Sequence, residues 1–234
     1  MFCYNLVVTG SDLKTARTTS NWTQAEAAAR LGVTQAYLSL LESGSRPVSD
    51  ELASSVLRVF SLPPTARPFS GHRDVRIGEA FFKEALGELG YRGFAYLKSR
   101  SSLNPAELLF LALDSEELDA RVTEALPWLP FEFPEMNWDW LVVQTKLSNR
   151  QNRLAYVTFL ASEVANARGE VKRAESLRER VASLERSRLA NEDTLAKSSL
   201  SQAERKWLRV HRTAAAAHWN LLTDLKERDL DHLF

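Results

Sequence analysis

Between positions 11 and 60, apolar residues recur every three or four positions, the spacing of one face of an α-helix. Helix-capping polar residues interrupt this pattern, so we predict four successive helices. The predicted N-caps are Ser11, Thr23, Thr34 and Ser49. Glu26 completes a capping box with Thr23, while Gly32 and Gly44 are placed to end the second and third helices.

A proline-rich break separates this region from the rest of the chain. Ser61–Asp74 contains three prolines and little periodicity, so we interpret it as containing a linker. Beyond it, helices are predicted at about 78–89, 91–100, 105–113, 115–125, 137–147, 150–168, 170–190, 201–213 and 215–232. Asp114 with Glu117, and Ser201 with Glu204, fit the capping-box pattern.

These patterns predict an all-α protein of two domains. The first is a four- to five-helix domain at 1–64, followed by a linker at 65–75 and a larger α-helical domain at 76–234. The β-branched and aromatic run Cys3–Thr9 predicts one short N-terminal β-strand.

One segment of the larger domain departs from helical spacing. Ala125–Leu141 holds three prolines together with Trp128, Trp138 and Trp140. We favour a core plug joining two helical layers, and a ligand or partner pocket is the alternative, since aromatic clusters are common at recognition sites.

A second segment, Val164–Leu184, has apolar residues at alternating three- and four-residue intervals. This spacing fits a short coiled-coil seam that would support a homodimer. It fits an intramolecular helical hairpin equally well.

The composition argues against several classes of protein. Lys+Arg and Asp+Glu balance at 30 each, which argues against a protein that coats nucleic acid or membrane by bulk charge. The single cysteine, Cys3, excludes an internal disulfide framework and a cysteine zinc cluster. The N-terminus lacks a basic leader and no apolar run approaches ~18 residues, so we expect a soluble, cytoplasmic chain with no membrane span.

Catalytic and metal-binding motifs are not evident. There is no Gly-rich phosphate loop, nucleophile elbow or H-E-x-x-H sequence, so we predict neither an enzyme nor a cofactor. His211 and His218 lie seven residues apart, but no third ligand has suitable spacing for a metal.

Charge is unevenly distributed. Asn104–Asp139 carries nine acidic residues against one arginine, a net of −8, whereas Lys146–Arg212 carries fifteen basic and eight acidic residues, a net of +7. We favour internal pairing of these segments over a partner surface.

The stretch TQAEAAARLGVTQAYLSLLESG, Thr23–Gly44, has the chemistry of two helices crossing around a tight turn. Such a turn needs a small residue where the helices touch, a glycine at the turn and apolar positions that hold the second helix. Ala28 and Gly32 supply the first two, and Val33, Leu38 and Leu41 can face inward.

The same stretch and its flanks resemble the phage-repressor and Cro-like helix-turn-helix family, also called the XRE family. The matching segments are Trp22–Glu26, Leu31–Gln35 and Leu41–Pro47, and the resemblance extends over about residues 11–64. It implies a domain that binds double-stranded DNA with the second motif helix in the major groove.

The resemblance also implies a set of DNA-binding residues: Gln24, Thr34, Gln35, Ala36, Tyr37, Ser39, Leu40, Ser45 and Arg46. Gln24, Ser45 and Arg46 match positions that face phosphate in the family, and Tyr37 is expected to reach the DNA backbone. Gln35 can pair with adenine and Ala36 can meet a thymine methyl group.

Ser39 could hydrogen-bond a base edge or a phosphate. Leu40 departs from the family pattern because it is apolar where a base-reading polar residue is common.

The charge of this domain is a second departure. Met1–Ala66 has five basic and five acidic residues, a net of zero, although phosphate neutralisation supplies much of the affinity for DNA. We therefore predict weak binding by a monomer, with dependence on dimerisation or on Arg67, Arg73 and Arg76.

Together these observations predict a sequence-specific transcriptional regulator that represses its own operon as a homodimer bound to operator DNA. A second domain of this size also suggests the antitoxin of a toxin–antitoxin pair, with the toxin bound by residues 76–234. The alternative is a helical scaffold or interaction protein whose helix-turn-helix no longer binds DNA.

Overall fold

The computed structural model describes residues 9–67, 69, 78–97, 103–195 and 197–230. The predicted strand at Cys3–Thr9 lies outside these residues except for Thr9. The α-helices are α1 (Gly10–Thr19), α2 (Gln24–Leu31), α3 (Gln35–Glu42), α4 (Asp50–Val59), α5 (Glu79–Glu88), α6 (Pro105–Asp114), α7 (Ala120–Ala125), α8 (Trp128–Glu132), α9 (Trp138–Leu147), α10 (Gln151–Ala167), α11 (Val171–Leu184), α12 (Gln202–His211) and α13 (Ala214–His218).

Short elements complete the described fold. Strands β1 (Asp193–Thr194) and β2 (Leu221–Leu222) pair in parallel, with Asp193 opposite Leu221 and Thr194 opposite Leu222. The 3₁₀ helices are Pro64–Ala66, Arg92–Phe94, Glu185–Ser187 and Glu227–Asp229. The described residues are all-α apart from this small sheet, as the sequence predicts.

The chain divides into two compact units. The N-terminal unit comprises Met1–Val75 with Ser102–Asn104, and the C-terminal unit comprises Arg76–Ser101 with Pro105–Phe234. The buried side-chain amide of Asn104 donates to the carbonyl oxygens of Thr65 at 3.0 Å and Arg67 at 2.8 Å. These bonds tie the end of the 3₁₀ helix Pro64–Ala66 to a residue that is distant in sequence.

Local capping explains where the N-terminal helices begin. Thr23, Thr34 and Ser49 each accept a hydrogen bond from a backbone N–H in the following turn, as predicted. The prediction for α1 was wrong: Thr9, not Ser11, is its N-cap, and Asp12 completes a capping box with Thr9. The helix therefore begins one residue before Ser11.

The core of the N-terminal unit is built from the inward faces of α1 to α4. Leu13, Leu38, Leu41 and Val56 are completely buried, and Ala27 packs with them without a large side chain. The small residue lets α2 approach its neighbours closely, which fixes the angle at which α3 leaves the turn.

In the C-terminal unit, α10 is the central helix. It is buried on nearly every side and packs against α8, α9 and α11. A left-handed glycine, Gly169 (φ 75°), turns the chain between α10 and α11. Val164, Ala174 and Leu177 are buried between them, so the apolar seam forms an intramolecular hairpin.

The aromatic segment packs as the favoured interpretation predicts. Trp128 is buried and makes edge-on contacts with Tyr91 and Phe133 at ring-centroid distances of 5.3 and 5.6 Å. The buried indole of Trp138 donates to the carbonyl oxygen of Pro134 at 2.8 Å. The segment is less irregular than its prolines suggest, because α8 forms within it.

The prediction of one helix at 215–232 was wrong. α13 ends at His218, Asn220 adopts a left-handed conformation (φ 53°), and β2 follows. Side chains of α10 hold this path: Asn152 donates to the carbonyl of Trp219 at 2.8 Å, and Tyr156 donates to that of Leu225 at 2.6 Å. Burial raises the pKa of Tyr156 to about 12. Long-range hydrogen bonds therefore replace the helical ones.

Two further helix predictions need correction. At 91–100 only the 3₁₀ helix Arg92–Phe94 forms among the described residues, since Gly90 (φ 103°) and Gly93 disfavour a continuous helix. α7 begins at Ala120 with Asp119 as its N-cap, not at the Asp114–Glu117 pair. Glu117 instead accepts hydrogen bonds from Ser198 and Ser199. The predicted Ser201–Glu204 capping box is confirmed.

The acidic and basic segments pair with each other in part. Arg150, in the basic segment, forms ion pairs with Asp114 and Glu116 of the acidic segment. Within the basic segment itself, Arg150 also pairs with Asp193. Arg153 is completely buried and holds Asp193 through two bonds of 2.7 and 2.9 Å.

Candidate nucleic-acid interface

The turn between α2 and α3 is shaped by backbone chemistry. Gly32 takes the left-handed conformation (φ 70°), and its N–H and that of Val33 bond back to α2 carbonyls. Thr34 then caps α3 by accepting from the Tyr37 N–H at 3.2 Å. Three residues, Gly32 to Thr34, thus suffice to end one helix and start the next.

α3 presents one apolar and one open face. Leu38 and Leu41 are completely buried, which fixes the rotation of the helix. The opposite face carries exposed Gln35, Ala36 and Ser39. Leu40 shares this face and is 42% exposed, an unusual position for a large apolar residue.

A polar clamp joins α1, α2 and α3. The guanidinium of Arg17 donates to both carboxylate oxygens of Glu42, at 2.6 and 3.0 Å, and to the Trp22 carbonyl at 2.8 Å. The amide of Gln24 donates to the same carboxylate at 3.0 Å. We call this group (Arg17, Trp22 carbonyl, Gln24, Glu42) the Arg17 clamp.

Electrostatics favour the ionised form of this pair. Burial raises the pKa of the Glu42 carboxyl, but the hydrogen bonds from Arg17 and Gln24 outweigh it and hold the pKa below its ordinary value. The side chain of Glu42 is only 4% exposed, so its charge is compensated within the domain. The clamp fixes α3 without adding net charge to the open face.

Close backbone packing adds to the clamp. A Cβ atom on Gly10 would lie 1.7 Å from the carbonyl oxygen of Leu41, so only glycine fits where α1 crosses the end of α3. Sequence reasoning missed both Gly10 and the Arg17–Glu42 pair, which is 25 residues apart. Glu42 lies within the recognised motif, but no local spacing indicates its partner.

Gln24 lies at the start of α2, where the first N–H groups of the helix have no partner within it. Its side chain is half-buried in the Arg17 clamp. The amide therefore already has an acceptor in Glu42, and the backbone N–H groups at this helix start carry the positive end of the helix dipole.

The loop after α3 is open on the surface. Gly44 is left-handed (φ 73°), and the Arg46 N–H donates to the Leu40 carbonyl at 3.1 Å. Ser45 and Arg46 are exposed, and the Arg46 guanidinium lies 5.9 Å from the centre of the Tyr37 ring. Tyr37 itself is half-buried against the core.

The remaining charges are partly committed to local contacts. The carboxylate of Glu26 accepts from the Thr23 N–H and hydroxyl, which lowers its pKa. Arg30 lies 3.9 Å above the Trp22 ring. Arg67 donates to the Leu103 carbonyl at 3.1 Å, while Arg73 and Arg76 lie outside the described residues.

The nine predicted site residues thus occupy one connected region in three groups. Gln24 begins α2, and Ser45 with Arg46 follows α3. The other six lie at the start of α3 or along it, five of them exposed and Tyr37 half-buried: Thr34, Gln35, Ala36, Tyr37, Ser39 and Leu40. Across the part of the chain that the structure describes, no cluster of three or more His, Cys, Asp or Glu side chains could hold a metal. No helix there is long and apolar enough to cross a bilayer.

Comparison with known proteins agrees with this geometry. Residues 13–66 match a family model described as Helix-turn-helix, the XRE-type domain. No curated protein and no solved structure gives a significant match to the chain. The N-terminal unit therefore contains an XRE-type helix-turn-helix domain, and the match supports a DNA-binding regulator of that type.

Proposed function

We propose that the protein is a sequence-specific repressor of its own operon that binds operator DNA as a homodimer. The observation that carries this proposal is the exposed face of α3. Its inner face is locked by Leu38, Leu41 and the Arg17 clamp, so its outer face is held in a fixed orientation. Preorganised side chains on a rigid helix are what base recognition requires.

Each group of exposed residues has a role in this proposal. Gln35 pairs with the N6 and N7 edge of adenine, and Ala36 with Leu40 forms an apolar strip that meets thymine methyl groups. Ser39 donates to a base edge or a phosphate. The Thr34 hydroxyl accepts from the Tyr37 N–H, which leaves its proton for a phosphate oxygen.

Phosphate contacts frame this reading face on both sides. In this proposal the start of α2 with Gln24 supplies one set of phosphate contacts, and Ser45 and Arg46, which follow α3, supply another. Backbone contacts of this kind set the register of the helix on the duplex.

The neutral charge of the domain supports dimeric binding. With five basic and five acidic residues in Met1–Ala66, one copy neutralises few phosphates. Two copies joined as a dimer would place two α3 helices in major grooves about 34–36 Å apart, roughly one DNA turn. Simultaneous engagement then compensates for weak single-copy binding.

The test is a binding assay on the DNA upstream of the gene, using fluorescence anisotropy across a salt series. The wild type should bind with an affinity that falls as salt rises, and Gln35→Ala with Arg46→Ala should weaken binding by more than about tenfold. Arg58→Ala, an exposed arginine on α4, is the matched control and should change affinity by less than about threefold. Equal binding by the double variant and the wild type would contradict the proposal and favour a helical scaffold.

A partner protein is a second part of the proposal, in which the chain is an antitoxin that sequesters a toxin. The C-terminal unit supports this because Val143 and Leu147, four residues apart on one face of α9, are 53% and 71% exposed. Exposed apolar side chains of this kind are common at protein interfaces. Co-purification with the product of the adjacent gene, followed by a growth assay with and without this chain, tests it.

A further inference from the structure

The C-terminal unit contains a pocket of about 520 Å³. It opens between the chain preceding and forming α7, the loop after β1, one face of α12, and the segment from β2 to the last 3₁₀ helix. This volume lies within the range of about 300–1,000 Å³ typical of small-molecule sites.

The floor of the pocket is apolar. It is formed by leucines from separate elements, among them Leu195, Leu208, Leu222 and Leu225, each less than a tenth exposed. Side chains this well buried around open space present a fixed apolar wall to a ligand.

The mouth of the pocket is acidic. Four carboxylates line it, against one lysine: Glu117, Glu124, Asp224 and Asp229, with Lys197. Lys197 pairs with Glu204 at 3.5 Å and also favours the charged form of Glu117, so it offsets one of the four carboxylates and the mouth stays net negative.

Among the residues that the structure describes, two of the four carboxylates have no polar partner and can receive a ligand. Glu117 accepts from the Ser199 N–H at 2.8 Å, and Asp229 accepts from the Lys226 N–H at 3.2 Å. Glu124 and Asp224 form no hydrogen bond or ion pair with another residue that the structure describes. An apolar chamber with two available carboxylates at its rim has the chemistry of a site for an organic cation.

We propose that this pocket binds a small organic amine, with its hydrocarbon body against the leucine floor and its ammonium group between Glu124 and Asp224. The ligand's ammonium protons would donate to the two carboxylates. The site lies within the C-terminal unit, so it can be tested without DNA and independently of the proposed repressor function.

A matched series of six-carbon probes tests this on the full-length chain by isothermal titration calorimetry. Hexylamine should bind at least about tenfold more tightly than hexanol, since only the amine gains charge-assisted hydrogen bonds. Hexanoate should bind more weakly than hexanol, because the acidic mouth repels it. No detectable hexylamine binding, or hexanoate binding as tight as hexylamine, would overturn the proposal.

Variants locate the site. Glu124→Gln with Asp224→Asn should weaken hexylamine binding by about tenfold while leaving hexanol binding unchanged. Glu175→Gln, an exposed acid on α11 outside the pocket, is the control and should leave both unchanged. Ala120→Trp, at an exposed position on the pocket wall, should weaken both probes by filling the space. Equal hexylamine affinity in the double variant and the wild type would place the amine elsewhere.

Discussion

In each unit of the protein, one arginine side chain donates two hydrogen bonds to a carboxylate and also donates to backbone carbonyl oxygens. In the N-terminal unit, Arg17 holds Glu42 and the Trp22 carbonyl. In the C-terminal unit, Arg153 holds Asp193 and the carbonyls of Leu113 and Ser115, at 2.8 and 2.9 Å.

The two arginines differ in what they hold in place. Arg17 is 13% exposed and orients α3, whose outer face stays open. Arg153 is completely buried and joins the end of α6, α10 and β1 in the interior of its unit. The same kind of arginine–carboxylate contact therefore orients a surface helix in the N-terminal unit and joins buried elements in the C-terminal unit.

The largest effect is expected from Arg153→Met. It removes both hydrogen bonds from Arg153 to Asp193, which keeps only its longer ion pair with Arg150, and it leaves two carbonyls without their donor. Losing these contacts should cost about 3–5 kcal/mol. Hydrogen exchange of α10 amides measures the loss in the free energy of opening. Arg178→Met, which removes an exposed pair with Glu163, should cost less than about 1 kcal/mol. A loss below about 1 kcal/mol for Arg153→Met would contradict the proposed difference between the Arg153 and Arg17 pairs.

Arg17→Met should have a smaller effect, about 2–3 kcal/mol, because Gln24 still donates to Glu42 and only one carbonyl, that of Trp22, loses its donor. Hydrogen exchange of α3 amides reports it, and Arg58→Met in the same unit serves as the control, with an expected change below about 0.5 kcal/mol. The Arg17 variant should also bind operator DNA more weakly, since α3 loses its fixed orientation. If the α3 amides are as protected as in the wild type, the clamp does not position that helix.

Lowering the pH should reduce the stabilisation from both arginine–carboxylate pairs. Burial raises the pKa of Asp193, but the bonds from Arg153 outweigh it, so both Asp193 and Glu42 have pKa values below their ordinary ones in the folded protein. A carboxyl with a lowered folded-state pKa stabilises the fold above its unfolded value of about 4 and loses that contribution as the pH falls.

Stability in urea should therefore decrease between about pH 5 and 3, and the decrease in α3 protection should be smaller in Arg17→Met. An unchanged pH dependence in that variant would show that Glu42 is not the group responsible.

The smallest expected effect is the loss of DNA affinity when one thymine methyl group is removed from the operator. If Leu40 meets a thymine methyl, replacing that thymine by deoxyuracil removes about 0.8 kcal/mol, or about fourfold in affinity. The substitution is made at each thymine of the operator in turn, and Leu40→Ala should abolish the largest response. Ser39→Ala, on the same exposed face, should retain it. If the Leu40→Ala variant still loses affinity when that thymine is replaced, another residue makes the methyl contact.

Local features were readable from the sequence. The caps at Thr23, Thr34, Ser49 and Ser201 and the glycine turn at Gly32 depend only on neighbouring residues, and the structure confirms them. The helix-turn-helix domain was predicted for the same reason. Its fold is specified by short, ordered spacings within residues 11–64.

The missed features depend on residues far apart in the chain. Arg153 and Asp193 are 40 positions apart, and the Tyr156–Leu225 bond spans 69. Polar side chains of α10 redirect the segment after His218, so a periodic sequence at 215–232 does not become one helix. The same holds for the acidic pocket, whose walls come from separate elements.

The central claim is that the outer face of α3 reads base sequence, and the ratio of specific to nonspecific binding tests it most directly. The affinity of the full chain for a duplex selected from random DNA is compared with that for a scrambled duplex at the same salt. Gln35→Ala should lower this ratio by about 5–150-fold while leaving scrambled-duplex binding nearly unchanged. An unaltered ratio would contradict the claim.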